Sequence, residues 1–119
     1  MKRLKNIRPG EILKEEFLVP MEISVYRLSQ ETGLSQTRLG QIVRGERGIS
    51  AETALKLGKF FDIPAAFWLN LQNLYDLEEA ERLHEKDLNS IQTAKALGLI
   101  PAVVASGFKG LHNASHWQE

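Results

Sequence analysis

The chain is expected to fold as an all-α protein. Apolar residues recur every three or four positions nearly everywhere up to residue 87, and no run of four or more cleanly alternates apolar with polar. Serine, glycine and proline fall where helices would start and stop. At 119 residues the chain suffices for one ordinary core.

The first helix should open at Pro9, whose fixed φ suits a first turn, carry Ile12, Leu13 and Phe17, and stop before Pro20. Ser24 is placed to N-cap a second helix from Val25 to Thr32 that buries Leu28. Gly33 ends it in the left-handed conformation, which a residue without Cβ adopts at little cost. Ser35 then caps a third helix from Gln36 to about Val43, burying Leu39 and Ile42, with Gly45 as its stop. Ser50 caps a fourth through Phe61, with Ala54, Leu57 and Phe61 on one stripe. Pro64 starts a fifth carrying Phe67, Trp68, Leu71, Leu74 and Tyr75, whose later turns, from Asp76 to Asp87, are highly charged and should project into solvent. Leu88, Ile91, Ala94 and Leu97 are spaced for one more helix ended by Gly98. Pro101, Gly107 and Gly110 interrupt anything longer, so the end of the chain should be loose. The expected organisation is a helical domain over 1–87 and a partly helical or flexible extension over 88–119.

With 43% apolar and 25% charged residues the composition is that of a soluble globular domain. The absence of cysteine excludes a disulfide framework, a thiolate nucleophile and every cysteine-based zinc site. The basic N-terminus is followed by no apolar run of signal-peptide length, and no uninterrupted apolar stretch of about 18 residues occurs. A soluble, unexported, cytoplasmic protein with no membrane partner is therefore expected. The net charge is zero, yet residues 1–60 hold eleven Lys/Arg against seven Glu, whereas residues 61–119 hold four Lys/Arg against eight acids. A basic half and an acidic half suggest two kinds of contact.

The stretch from Val25 to Arg44 has the spacing of a helix-turn-helix. Leu28, Leu34, Leu39 and Ile42 are the apolar positions that must meet where two short helices cross steeply, Ser29 is small enough to let them approach, and Gly33 supplies the turn. The outer face of its second helix carries Gln36, Thr37, Arg38, Gln41 and Arg44. Such side chains read base edges: Gln bonds adenine N6 and N7, Arg bonds guanine O6 and N7, and the Thr methyl packs on the thymine methyl. Arg27, Arg47 and the backbone amides near Ser24 and Ser35 suit phosphates, which fix register without carrying sequence information. A solvated polar face on an ordinary helical bundle is the competing interpretation of these residues.

The sequence also resembles the lambda-repressor-like (XRE) helix-turn-helix proteins, and within them the HigA/VapI-type antitoxins, over roughly residues 7–80. The resemblance is carried by the run from Arg8-Pro-Gly-Glu-Ile-Leu to Pro20, by Leu39-Gly-Gln-Ile-Val-Arg-Gly-Glu-Arg-Gly-Ile-Ser through Leu55, and by Phe67-Trp-Leu-Asn-Leu-Gln through Leu77. It implies a five-helix core, here with a C-terminal helical extension. It also implies dimerisation, binding to a palindromic operator in the protein's own promoter, and neutralisation of a RelE-like (HigB-like) ribonuclease toxin encoded beside it. The family's base-reading positions fall on Gln36, Thr37, Arg38, Gln41 and Arg44. A free-standing XRE regulator without a toxin is the alternative, and a module whose helix-turn-helix no longer reads DNA is a third possibility.

Phe67, Trp68, Leu71, Leu74 and Tyr75 can be core, dimer interface or ligand pocket; a two-fold DNA site calls for a dimer, and a terminal amphipathic helix can supply it. Trp68 is assigned to the core and Phe67, Leu71, Leu74 and Tyr75 to a dimer interface. His84, His112 and His116 lack the neighbouring ligands a metal needs, and Asn113-Ala-Ser115 is a sequon without a secretion signal, so neither a metal nor a cofactor is expected. The acids at 76, 78, 79, 81, 85 and 87 are interleaved with Arg82 and Lys86 as on a solvated face. No phosphate loop, nucleophile motif or paired carboxylates in an apolar setting occur, which argues against an enzyme. The sharper use of the acidic stretch is as a contact for a basic toxin.

Overall fold

In the computed structural model, which describes residues 6–100, the described residues form helices, turns and loops without a strand. Helix α1 spans residues 9–21, followed by α2 (Val25–Thr32), α3 (Gln36–Val43), α4 (Ala51–Phe61), α5 (Ala65–Leu83) and the short α6 (Glu85–Asn89). The chain divides into two compact units, one ending at Leu83 and the other beginning at His84. No helix among the described residues is long and apolar enough to cross a membrane.

The serine caps form as expected. Ser24 Oγ accepts from the Arg27 amide at 2.9 Å, Ser35 Oγ from Arg38 at 3.0 Å and Ser50 Oγ from Thr53 at 3.3 Å, so each hydroxyl satisfies one of the orphan donors of its helix. Gly33 and Gly45 both take φ of 78°, ending α2 and the turn after α3.

Helix α1 departs from the expectation that it stops before Pro20. It runs through the proline because Leu13–Leu18 widens to π spacing, with the Val19 amide bonded to the Lys14 carbonyl five residues back. An ordinary α-turn would press the proline ring onto the carbonyl four residues back, and the wider turn relieves that contact. The helix ends at Glu22, which is left-handed (φ 55°), and the Ile23 amide closes the end on the Leu18 carbonyl at 2.9 Å.

The extension also differs. No helix spans 88–97: α6 ends at Asn89, and a turn over 94–98 follows, closed by the Leu99 amide on the Ala94 carbonyl at 2.7 Å with Gly98 left-handed. Polar side chains mark the break here, one at the end of α6 and one capping the turn that follows. Ser90 Oγ donates to the Asp87 carbonyl at 2.7 Å, and Thr93 Oγ1 accepts from the Ala96 amide at 3.0 Å. Pro101, Gly107, Gly110, His112 and His116, and the looseness expected for that segment, lie outside the described residues.

The core joins Leu13 and Leu18 of α1 to Leu28, Leu34, Leu39 and Ile42 of the helix-turn-helix, and to Ile49, Ala54, Leu57 and Trp68. Trp68 is fully buried, as assigned, and its ring lies 4.9 Å from Phe17 and 5.8 Å from Phe61, centroid to centroid. These aromatics tie α1, α4 and α5 together and hold α2 and α3 on a rigid base.

Candidate nucleic-acid interface

The crossing of α2 and α3 rests on the apolar residues that its spacing singles out, since Leu28, Leu34, Leu39 and Ile42 are all buried. Ser29 also fixes the turn chemically, because its hydroxyl donates to the Leu34 carbonyl at 2.6 Å. Thr32 Oγ1 donates to the Leu28 carbonyl at 2.7 Å and accepts from the Leu34 amide at 3.2 Å. The Ser29 bond and the bond from the Leu34 amide to Thr32 satisfy backbone groups of the turn itself.

Two further contacts set α3 in place. Gly10 lies directly against the Ile42 carbonyl, bringing α1 into backbone contact with the end of α3. Beyond α3, Gln72 of α5 accepts from the Ile49 amide at 2.8 Å through Oε1 and donates to Asp76 at 2.9 Å through Nε2. At the other end of this face of α5, Asn6 Nδ2 donates to the Tyr75 carbonyl at 3.0 Å and to Glu79 Oε2 at 3.1 Å, while the Arg8 guanidinium sits 6.0 Å from the Tyr75 ring centroid.

With Leu39 and Ile42 turned inward, α3 presents Gln36, Thr37 and Arg44 as exposed residues and Arg38 and Gln41 as half-buried ones. Ser35 and Ser24 are exposed at the N-termini of α3 and α2, and Arg27 is exposed in the first turn of α2. Arg47 reaches back to α3, its Nε donating to Gln41 Oε1 at 2.9 Å.

The acids around this face are absent from the sequence-level assignment. Arg38 Nη1 donates to Glu52 Oε1 at 2.9 Å, and Lys56 Nζ donates to the other carboxylate oxygen at 3.3 Å. These donors, Arg38 first, hold the Glu52 carboxyl below the ordinary carboxylate range. Arg44 forks onto Glu46 at 2.9 and 3.4 Å, which raises the arginine and lowers the glutamate through the shared hydrogen bond. Arg27 pairs with Glu31 at 2.6 Å. Sequence spacing could have suggested Arg27–Glu31, one helical turn apart, but Arg38–Glu52 joins two helices fourteen positions apart and needs the fold.

On α5 the apolar stripe divides. Phe67 and Leu74 are exposed, at 37% and 66%, whereas Leu71 and Tyr75 are half-buried and Leu71 packs against the core. Leu77, outside the sequence-level assignment, is 60% exposed on the same helix.

This architecture has known counterparts. A helix-turn-helix family model matches residues 13–68. Virulence-associated protein I of Dichelobacter nodosus is 49% identical over 76 residues, covering 64% of this chain and 70% of the relative. The Pseudomonas aeruginosa antitoxin HigA, solved with the higBA promoter, matches with a TM-score of 0.71 at 42% identity, over 74% of this chain and 97% of that one. YbaQ of Escherichia coli (strain K12), an uncharacterized HTH-type transcriptional regulator, is 32% identical over 99 residues, 83% of this chain and 81% of the relative. By name, HigA is an antitoxin and YbaQ a transcriptional regulator. The chain belongs to the XRE-type helix-turn-helix family, in the branch that includes HigA and virulence-associated protein I.

Proposed function

We propose that the chain is the antitoxin of a HigBA-type toxin–antitoxin module: a dimeric, sequence-specific DNA-binding autorepressor that neutralises a RelE-like mRNA-cleaving ribonuclease by direct contact in the cytoplasm. The observation that carries the DNA-binding half is the outer face of α3, where Gln36, Thr37, Arg38, Gln41 and Arg44 stand opposite a buried apolar face. Paired donors and acceptors on a helix held this rigidly suit the major groove. Ser24, Arg27, Ser35 and Arg47 supply phosphate contacts, with the free amides of the α2 and α3 N-termini beside the two serines. The similar HigA protein was solved with the higBA promoter, which supports this reading.

A two-fold operator calls for two copies, and exposed Phe67 and Leu74 with half-buried Leu71 and Tyr75 give α5 an apolar face for the second. The acidic second half of the chain suits a basic ribonuclease, because an enzyme that grips RNA carries positive charge. On this reading, neutralising Glu78, Glu79 and Glu81 together weakens toxin binding, and unchanged affinity removes that contact. The likeness to YbaQ extends over more of the chain than that to virulence-associated protein I and favours a second reading, a free-standing regulator without a toxin.

Growth of cells expressing the small reading frame that adjoins this gene separates the two. Arrest by the neighbour alone, rescued both by the native protein and by a Gln36→Ala/Thr37→Ala/Arg38→Ala variant, establishes neutralisation by contact. A harmless neighbour leaves the free-standing regulator.

A further inference from the structure

Among the cations of the reading face, Arg38 is the one clamped from another helix. Its side chain is 32% exposed, against 59% for Arg44 and 66% for Arg27, and its partner Glu52 stands in the first turn of α4. Both oxygens of Glu52 are used, Oε1 by Arg38 and Oε2 by Lys56, so the carboxylate is itself held in one orientation. Surface ion pairs contribute little to stability, which leaves the geometry of this one without a purely structural justification.

We propose that Glu52 is a positioning residue for base recognition, fixing the Arg38 guanidinium so that preference at one base pair of each half-site depends on Glu52. The inference rests on the reading of α3 as the DNA-recognition helix. A guanidinium has five N–H donors, and the bond to Glu52 engages Nη1, leaving donors on Nε and Nη2 for the O6 and N7 of guanine. Arginine loses much rotamer freedom when it is immobilised, and a side chain ordered before binding has already lost it. An acid this close to the reading helix is repelled by every phosphate backbone that approaches. That repulsion weakens binding to all DNA alike, whereas the ordered guanidinium rewards only the correct base, so the pair raises discrimination at the expense of raw affinity.

The test is selection of binding sites from a randomised DNA library by the full chain, with thermal midpoints as a folding control. The variants are Glu52→Gln, Glu52→Asp, Arg38→Ala and the Glu52→Gln/Arg38→Ala double. Arg38→Ala should abolish the preference at one base pair. Glu52→Gln should lower the preference at that same pair about tenfold while tightening binding to unrelated DNA. Glu52→Asp keeps the charge but shortens the reach, and should lose preference as Glu52→Gln does. In the Arg38→Ala background Glu52→Gln should change base preference no further, while binding to all DNA still tightens. Preference retained in Glu52→Gln but lost in Arg38→Ala overturns the positioning role alone. A Glu52→Gln effect on base preference that persists without Arg38 also overturns it, because the carboxylate then reads a base itself. If Arg38→Ala keeps every preference, the reading of Arg38 as a base contact falls, and the positioning role falls with it.

Discussion

Gly10 and Ile42 meet so closely that a Cβ on Gly10 would lie 1.8 Å from the Ile42 carbonyl oxygen. The obstacle is backbone on both sides, so a side chain at position 10 can be accommodated only by moving α1 or the end of α3. Gly10→Ala should therefore cost about 1–3 kcal/mol or more, the range for overpacking a site that cannot yield. It should also weaken DNA binding under conditions where the variant is folded, because α3 is displaced. Gly40 is the control, since a Cβ there meets only the end of the Arg44 side chain, at 3.0 Å. Gly40→Ala should be neutral or stabilising by up to about 1 kcal/mol. Urea unfolding of the two variants checks both directions.

Trp68 is fully buried and its indole Nε1 has no hydrogen-bond partner among the described residues. Two consequences differ in size. Trp68→Ala empties a large volume beside Phe17, Phe61 and Phe67 and should cost about 3–5 kcal/mol. Trp68→Phe loses part of that volume but also removes a donor whose burial without an acceptor is itself costly, so its destabilisation should be clearly smaller. Thermal unfolding of the two variants side by side measures the difference.

Helices α2, α3 and α4 were legible because each is bounded by residues with a single local job: Ser24, Ser35 and Ser50 cap, and Gly33 and Gly45 turn. Their core was legible for the same reason, as Leu28, Leu39 and Ile42 recur at helical spacing. Pro20 misled because proline's local rule is to stop a helix, and the π turn that admits it depends on how α1 packs rather than on any one residue. The region after Asn89 misled in the opposite sense: its apolar spacing is helical, but Ser90 closes the end of α6 and Thr93 caps a separate turn. At the interface, the cations are readable from α3 alone, whereas Glu52 and Gln72 act across the fold and leave no mark in local spacing.

Arg47 lies past the end of α3 and bonds Gln41 rather than an acid. As a phosphate contact it should contribute affinity without sequence preference. Arg47→Ala should weaken binding to all DNA by a similar factor and reduce the slope of log affinity against log salt by about one. Titrations at several salt concentrations test this, and a change in preference at a single base pair would make Arg47 a base reader instead.

The lowered titration of Glu52 follows first from the Arg38 hydrogen bond and then from Lys56. A carboxylate whose pKa is depressed in the folded state contributes stability that is present above its ordinary value and is lost as pH falls through the depressed one. Arg38→Ala should therefore raise the Glu52 pKa toward the ordinary range and move the loss of its contribution to higher pH. Carbon-detected NMR titration of the Glu52 carboxyl in the two proteins reads this directly; an unmoved midpoint would assign the depression to Lys56.

Leu74 is 66% exposed on α5, so its side chain contributes little to the fold of one copy. If the α5 face joins two copies, Leu74→Glu places a charge in an apolar contact on both sides of the two-fold axis at once. The expected outcome is a protein with nearly native thermal stability at low concentration that sediments as a monomer where the native chain sediments as a dimer. Binding to a full operator should fall much more than binding to an isolated half-site, because the half-site contacts of α3 are untouched. The comparison separates loss of dimerisation from damage to the reading face: an equal loss on both DNAs would place the defect in α3, and a persistent dimer would move the interface away from Leu74.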